Sequence, residues 1–239
     1  MPITESVGGT VWKRKIVEIR AARDALADGR WVKAKTIRNL PDVPVQPETL
    51  LRMELQMSER PVDLTEITRV ILSDPGAALQ VVRLAGREYR PDARTWGRIE
   101  ECIVDLGLQA CFEAMSNIVA TECVSKAELY DLWAHSREIA NVCQMLAYQT
   151  PRCNRANDAY LVGLFHDLGA LPAILAWDRE KEISNDQSLA GLQIAEAWKL
   201  PVCVVEYFYD RLTQSISFEW IRLVDRAHDR ARAIKDRRL

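Results

Sequence analysis

The 239-residue sequence predicts an all-α protein, and three observations carry that expectation. Apolar residues recur at helical spacing over most of the chain. Period-2 runs bounded by turn residues, the mark of strands, are missing. Helix-start signals, an Asp with Pro or Glu at fixed offsets behind it, stand ahead of several apolar stripes. A chain of this length makes one large domain or two small ones that share a core.

Residues 10–28 read as an amphipathic helix that stops at the "ADGR" turn. Trp12, Ile16, Ile19, Ala22 and Leu26 share one side, and Arg14, Glu18 and Arg20 lie on others. Such a helix is expected to pack back onto the bundle, with docking onto a partner as the alternative. "LPDVPVQPE" then supplies three prolines and a rigid, extended lead-in. Pro47 suits the first turn of a helix running to about Met57. Asp63 and Glu66 have capping-box spacing ahead of the stripe Ile67, Val70 and Ile71. Asp74–Pro75 is a second cap with proline at N1. That helix carries Leu79, Val81 and Val82 before Gly86 weakens it. A loop around "REYRPDARTW" leads to a helix ending at "LGLQ" and another over roughly 108–124.

"AELYDLWAHSREIANVCQMLAYQT" is the clearest helix, with Leu129, Leu132, Trp133, Ser136, Ile139, Cys143 and Leu146 in one stripe. His135 lies on the edge of that stripe. The next helix carries "YLVGLFHDLG", with Gly169 placed as its C-terminal stop and Pro172 just beyond. "AGLQIAEAWKLP", "PVCVVEYFYDRL" and a last helix from about Ser217 follow. Phe218, Ile221, Asp225 and His228 share a face of that last helix. The expected core contains Leu129, Leu132, Ile139, Leu146, Leu164 and Ile194, together with Trp133 and Trp198. Trp31 and Trp96 lie in looser contexts that suit surface anchors for a partner.

Composition narrows the function. The formal net charge is −2, so nothing attracts nucleic acid or anionic lipid in general. The basic run "RARAIKDRR" reads as the solvated end of a helix. The N-terminus has no apolar h-region. The longest oily stretch, "AYLVGLFHDLGALPAILAW", contains His166, Asp167 and Pro172, and reads as two buried helices rather than a membrane span. Six cysteines without a C-x-x-C pair suit reduced, core-filling thiols, and a cytoplasmic location is expected. No Walker A, G-x-G-x-x-G or G-x-S-x-G pattern is present.

One constellation bears chemistry. His166 and Asp167 stand side by side in an apolar stretch, where ionisable groups are rare without partners. His135 sits on the core side of the preceding helix, and Asp225 on the apolar face of the last one. A His, a His–Asp pair and an Asp drawn from three helices form a plausible divalent-ion site. An ion with open positions there would activate water and polarise a phosphoryl group. The competing reading is structural: an Asp that caps a helix beside a histidine bonded to a carbonyl.

"LPDVP…L", "ITRVILSDPGAALQVVRLAG", "IEECIVDLG", "LWAHSREIA", "LVGLFHDLGAL" and "AEAWKLP" occur in that order, and together they resemble the HDOD family of bacterial signalling proteins. These are relatives of the HD-domain phosphohydrolases, and the resemblance spans about 39–230. It implies an all-helical fold in two parts, an N-terminal helical half over 39–125 and an HD-like bundle over 126–239, behind an N-terminal helical extension over 1–38. It also implies a metal set that falls on His135, His166, Asp167 and Asp225, for a divalent ion such as Mn, Fe or Mg. HDOD domains are regarded as regulatory outputs without established catalysis, so the resemblance implies a signalling protein that binds a partner protein or small ligand. A metal-dependent phosphohydrolase acting on a nucleotide or phosphate ester is the alternative. The sequence departs from the family where "RLAG" replaces the usual Asn and Ser, where the histidine before "AEAWKLP" is lacking, and where "YFYDR" replaces a frequent His pair. These departures, and the missing GYP motif, leave too few ligands for a two-metal centre, so the cluster is expected to be a vestige of a metal site with weak or no metal binding and no phosphodiesterase turnover.

Overall fold

A computed structural model describes residues 40–88, 99–116, 126–150, 155–177, 183–213 and 219–236. All regular structure among these residues is helical, with no strand. The chain separates into two compact units, 1–36 and 37–239. The first lies outside the described residues, and with it the expected helix over 10–28 and Trp31; Trp96 also lies outside them.

The first half is built by α1 (Pro47–Ser58), α2 (Leu64–Leu72), α3 (Pro75–Glu88), α4 (Ile99–Leu106) and α5 (Leu108–Ser116). Two aspartates start helices here as their spacing predicts. The Asp63 carboxylate accepts from Thr65 N at 2.9 Å and Glu66 N at 3.2 Å. Glu66 does not complete the predicted capping box; its carboxylate takes the Arg69 guanidinium at 2.7–2.8 Å. Asp74 is fully buried and does more than cap. One oxygen accepts from Gly76 N and Ala77 N, and the other accepts from Gln46 N at 2.8 Å. Asp74 thus ties the proline-rich lead-in to the start of α3, and the Gln80 carboxamide adds a bond to Val43 O at 3.0 Å. The helix runs through Gly86 to Glu88 rather than fading at the glycine.

The second half contains α6 (Lys126–Tyr148), α7 (Ala156–Phe165), a 3₁₀ turn (Leu168–Ala170), the short α8 (Leu171–Ile174), α9 (Gln187–Ala197), α10 (Val202–Thr213) and α11 (Glu219–Asp236). α6 lies along α7, α11 covers both, and α10 packs on α7 and α9. The predicted stripe of α6 faces the core: Trp133, Ser136, Ile139 and Cys143 are buried, and Leu129 and Leu146 nearly so. Leu164, Ile194 and Trp198 are also buried. Leu132 departs from the expectation, because it lies at the stripe's margin and is half-buried. α7 departs too. It stops at Phe165, four residues before the predicted stop, and His166 and Asp167 occupy the turn beyond it. Gly169 serves a close approach instead: a Cβ there would stand 1.8 Å from Gln187 O at the start of α9.

The halves meet where α3 packs against α6. Two long-range hydrogen bonds reinforce the junction. Tyr160 donates to Leu72 O at 3.1 Å, and Arg137 donates to Ser73 O at 3.0 Å. Cys102, Cys111, Cys143 and Cys203 are buried free thiols, as the core-filling reading expects. Burial pushes the thiols of Cys102 and Cys143 up to about 12, which makes them poor nucleophiles. No helix among the described residues is long and apolar enough to cross a membrane.

Candidate metal centre

Histidine is scarce in this sequence, with three in 239 residues. The fold brings all three together. His135 comes from the middle of α6, His166 from the turn that ends α7, and His228 from α11. One ring nitrogen from each lies within 4.8 Å of the other two. The ring centroids are 5.0–5.3 Å apart.

The convergence begins in backbone packing. Gly163 lets α7 lie directly on α6, since a Cβ there would come within 2.7 Å of Ala140 Cα and 2.9 Å of Ala140 N. Five residues before Ala140 is His135, and three residues after Gly163 is His166. The contact between the helices therefore sets the distance between the rings.

Hydrogen bonds orient two of the imidazoles. His166 Nδ1 lies 2.8 Å from Gly163 O, and His228 Nδ1 lies 2.9 Å from Val224 O. A carbonyl oxygen only accepts, so each Nδ1 carries a proton. His135 Nε2 and His228 Nε2 face each other at 3.2 Å. His166 Nε2 is buried and faces the Asp167 carboxylate. Asp167 completes the group, with Oδ2 at 3.1 Å from His166 Nε2 and 3.6 Å from His135 Nε2.

Acid–base properties follow from this crowding. Burial depresses the pKa of His135, and the neighbouring His166 adds to the effect. Burial likewise depresses His228, again with His166 contributing. Burial by itself would raise the Asp167 carboxyl. Its hydrogen bond to His166 and the positive charge that the imidazoles carry when protonated, that of His166 first, outweigh that and hold it below the usual carboxylate range. The result is neutral imidazole at His135 and His228 beside an ionised carboxylate, the protonation pattern that a cation requires of its ligands.

The set can be compared with the sequence expectation residue by residue. The structure joins His135, His166 and Asp167. Asp225 is exposed one turn earlier on α11, and His228 is the residue of that helix that joins the group. The signal for His228 was present, because it lies three residues beyond Asp225 on the same face. A further pair from α10 flanks the site: Arg211 donates to the Tyr207 hydroxyl at 2.8 Å. The Arg211 guanidinium also feels the charges of Asp167 and Asp225. Both residues belong to the "YFYDR" segment.

The family model for the HDOD domain matches residues 43–184, more than half of the chain. The chain belongs to the HDOD family. His135, His166 and Asp167 fall inside the matched span, and His228 falls beyond it. Two solved structures of the MmoQ response regulator from Methylococcus capsulatus str. Bath resemble this HDOD chain in fold. One, a fragment of residues 20–298, aligns with TM-score 0.63 and 17% identity over 84% of this chain and 88% of that one. The other aligns with TM-score 0.59 and 21% identity over 80% and 86%. No curated protein matches the chain.

Proposed function

We propose that this HDOD chain is a regulatory module of a bacterial, cytoplasmic signalling system, that it acts by binding a partner protein or small ligand, and that its histidine cluster holds one divalent metal ion without turnover. One observation carries the metal assignment: a ring nitrogen from each of His135, His166 and His228 lies within 4.8 Å of the other two, with the Asp167 carboxylate 3.1 Å from His166 Nε2. The donor set fits such an ion. His135, His166, His228 and Asp167 would hold it, and three imidazoles with one carboxylate favour Fe²⁺ or Mn²⁺ over Mg²⁺.

The number of donors supports one ion rather than two. A two-metal centre needs bridging and terminal ligands beyond these four. An ion held here would fasten α11 to α6 and to the end of α7. That is a structural and regulatory use of a metal site.

The specific observation in favour of a metal-dependent phosphohydrolase is exposure. The side chains of His135 and Asp167 are 37% and 33% exposed, so one side of the cluster faces solvent. An ion there would supply Lewis-acid polarisation of a phosphate ester. Arg211, which feels the charge of Asp167, would offer positive charge to the ester.

Elemental analysis of protein purified without chelators tests the reading, paired with a phosphate-ester screen in Mn²⁺, Mg²⁺ and Fe²⁺. The expected result is one metal per chain, lost in His166→Ala, with no turnover above background. Turnover abolished by both His166→Ala and Asp167→Ala would replace the regulatory reading with the hydrolase. Protein without metal would remove the ion from the proposal.

A further inference from the structure

A cavity of about 280 Å³ opens between α2 and α4 on one side and α6 and α7 on the other. It is separate from the histidine cluster and shares no residue with it. Its polar lining is Thr68, Glu100, Gln144, Asn157 and the two tyrosines 148 and 160, set over an apolar floor that includes Leu72 and Leu161.

The size is informative. An engineered cavity of about 150 Å³ accepts benzene, so this one has room for on the order of ten ring atoms, a fused bicycle. The lining specifies the chemistry further. Among the described lining residues Glu100 is the sole charged group, and none is a lysine or arginine. The Arg137 guanidinium, whose charge reaches Tyr160, is already bonded to Ser73 O. Tyr148 is 60% exposed, an unusual amount for a large aromatic ring at a cavity rim. Its face is open for stacking on a flat ligand.

The hydrogen-bonding groups are uncommitted or weakly committed. Gln144 Nε2 reaches Asn157 Oδ1 at 3.4 Å, a long contact that a ligand edge would readily replace. Each carboxamide carries a donor and an acceptor side by side, the complement of a nucleobase edge. Thr68 is 5% exposed, and its hydroxyl has no hydrogen-bond partner. A helical threonine has two accessible χ1 rotamers, so a ligand in the cavity would capture Oγ1 by turning it from one to the other.

We propose that this cavity binds a neutral purine, as the free base or the nucleoside. The base stacks on Tyr148. Its polar edge exchanges hydrogen bonds with Gln144 and Asn157, and the Thr68 hydroxyl gains the partner it lacks. The Glu100 carboxylate in the lining disfavours phosphorylated forms by like-charge repulsion.

Isothermal titration of the full chain with adenosine and guanosine, and with their 5′-monophosphates, tests this. The expected result is saturable binding of at least one nucleoside, with its monophosphate about tenfold weaker or worse. Thr68→Val removes a hydroxyl that bonds nothing in the chain. It should leave the melting temperature unchanged or raised and weaken nucleoside binding by about tenfold. Tyr148→Ala, at an exposed position, should weaken binding while the fold is kept. The proposal fails if neither nucleoside binds at about 1 mM. It also fails if the monophosphate binds as tightly as the nucleoside, or if both variants bind like wild type.

Discussion

Gly163→Ala adds a single methyl at the tightest crossing of α6 and α7. The new Cβ would sit 2.7 Å from Ala140 Cα and 2.9 Å from Ala140 N, with Cys143 Sγ at 3.1 Å. Ordinary carbon–carbon contact begins near 3.5 Å, so the shortfall is close to 1 Å. The atoms in the way are backbone, which no rotamer change can move. The helices would have to separate, and overpacking of this kind costs about 1–3 kcal/mol. Alanine recovers up to about 1 kcal/mol of helix propensity over glycine, so the net loss is expected near 1–2 kcal/mol. For a unit of this size each kcal/mol lowers Tm by roughly 2–4 °C, which places the expected drop at about 2–8 °C. Thermal melts by far-UV circular dichroism and urea titrations measure it directly. The same variant should hold metal more weakly, because separating α6 from α7 pulls His135 away from His166. A Gly163→Ala protein as stable as wild type, with unchanged metal content, would refute the claim that this backbone contact sets the geometry of the cluster.

Trp133→Ala empties a nearly fully buried site and should cost about 3–5 kcal/mol in urea unfolding; a loss below 1 kcal/mol would show that the α6 face is misassigned. Asp63→Ala removes two backbone acceptor contacts at the start of α2 and should cost about 1 kcal/mol, whereas Asp63→Asn should retain most of that stability. Burial raises the Asp74 carboxyl above its ordinary value of 3.8, against the pull of its hydrogen bonds. The folded state then holds the proton more tightly than the unfolded one. Its pH-dependent contribution is complete below the unfolded value and is lost as pH rises through the raised folded value. The stability of wild type relative to Asp74→Asn should therefore grow as pH falls from 7 towards 4. Urea melts at several pH values check this, and a gap that shrinks on acidification would contradict it.

Local signals in the sequence were the ones the structure kept. Asp63 and Asp74 cap helices because a side chain two or three residues from an orphan N–H needs nothing else to reach it. The α6 stripe was legible because 3.6-residue spacing defines a face by itself. What escaped depends on distant partners. Gly169 looked like a helix stop, yet its role is set by the Gln187 carbonyl, eighteen residues away in sequence. Leu132 belongs to the stripe by spacing, but the width of the buried face is decided by the helices packed on it. Asp225 and His228 lie on the same face of α11. Only the way that helix settles on α6 and α7 determines which of them meets His135. The thiols were read correctly as buried where they are described; Cys123 and Cys153 lie outside the described residues.

The length of α6 has a consequence of its own. His135 lies just before the middle of α6 and Gln144 nine residues later, about 13 Å along the axis at 1.5 Å per residue. α7 runs beside it, with Asn157 in its first turn and His166 just past its end, joined to it through Gly163. The two helices act as one stiff beam with the imidazoles towards one end and the carboxamides towards the other. Packed interiors transmit displacement because they compress little. Whatever shifts α6 against α7 at one end is felt at the other. By thermodynamic reciprocity, an occupant at either end that alters the beam changes affinity at the opposite end by the same factor in both directions.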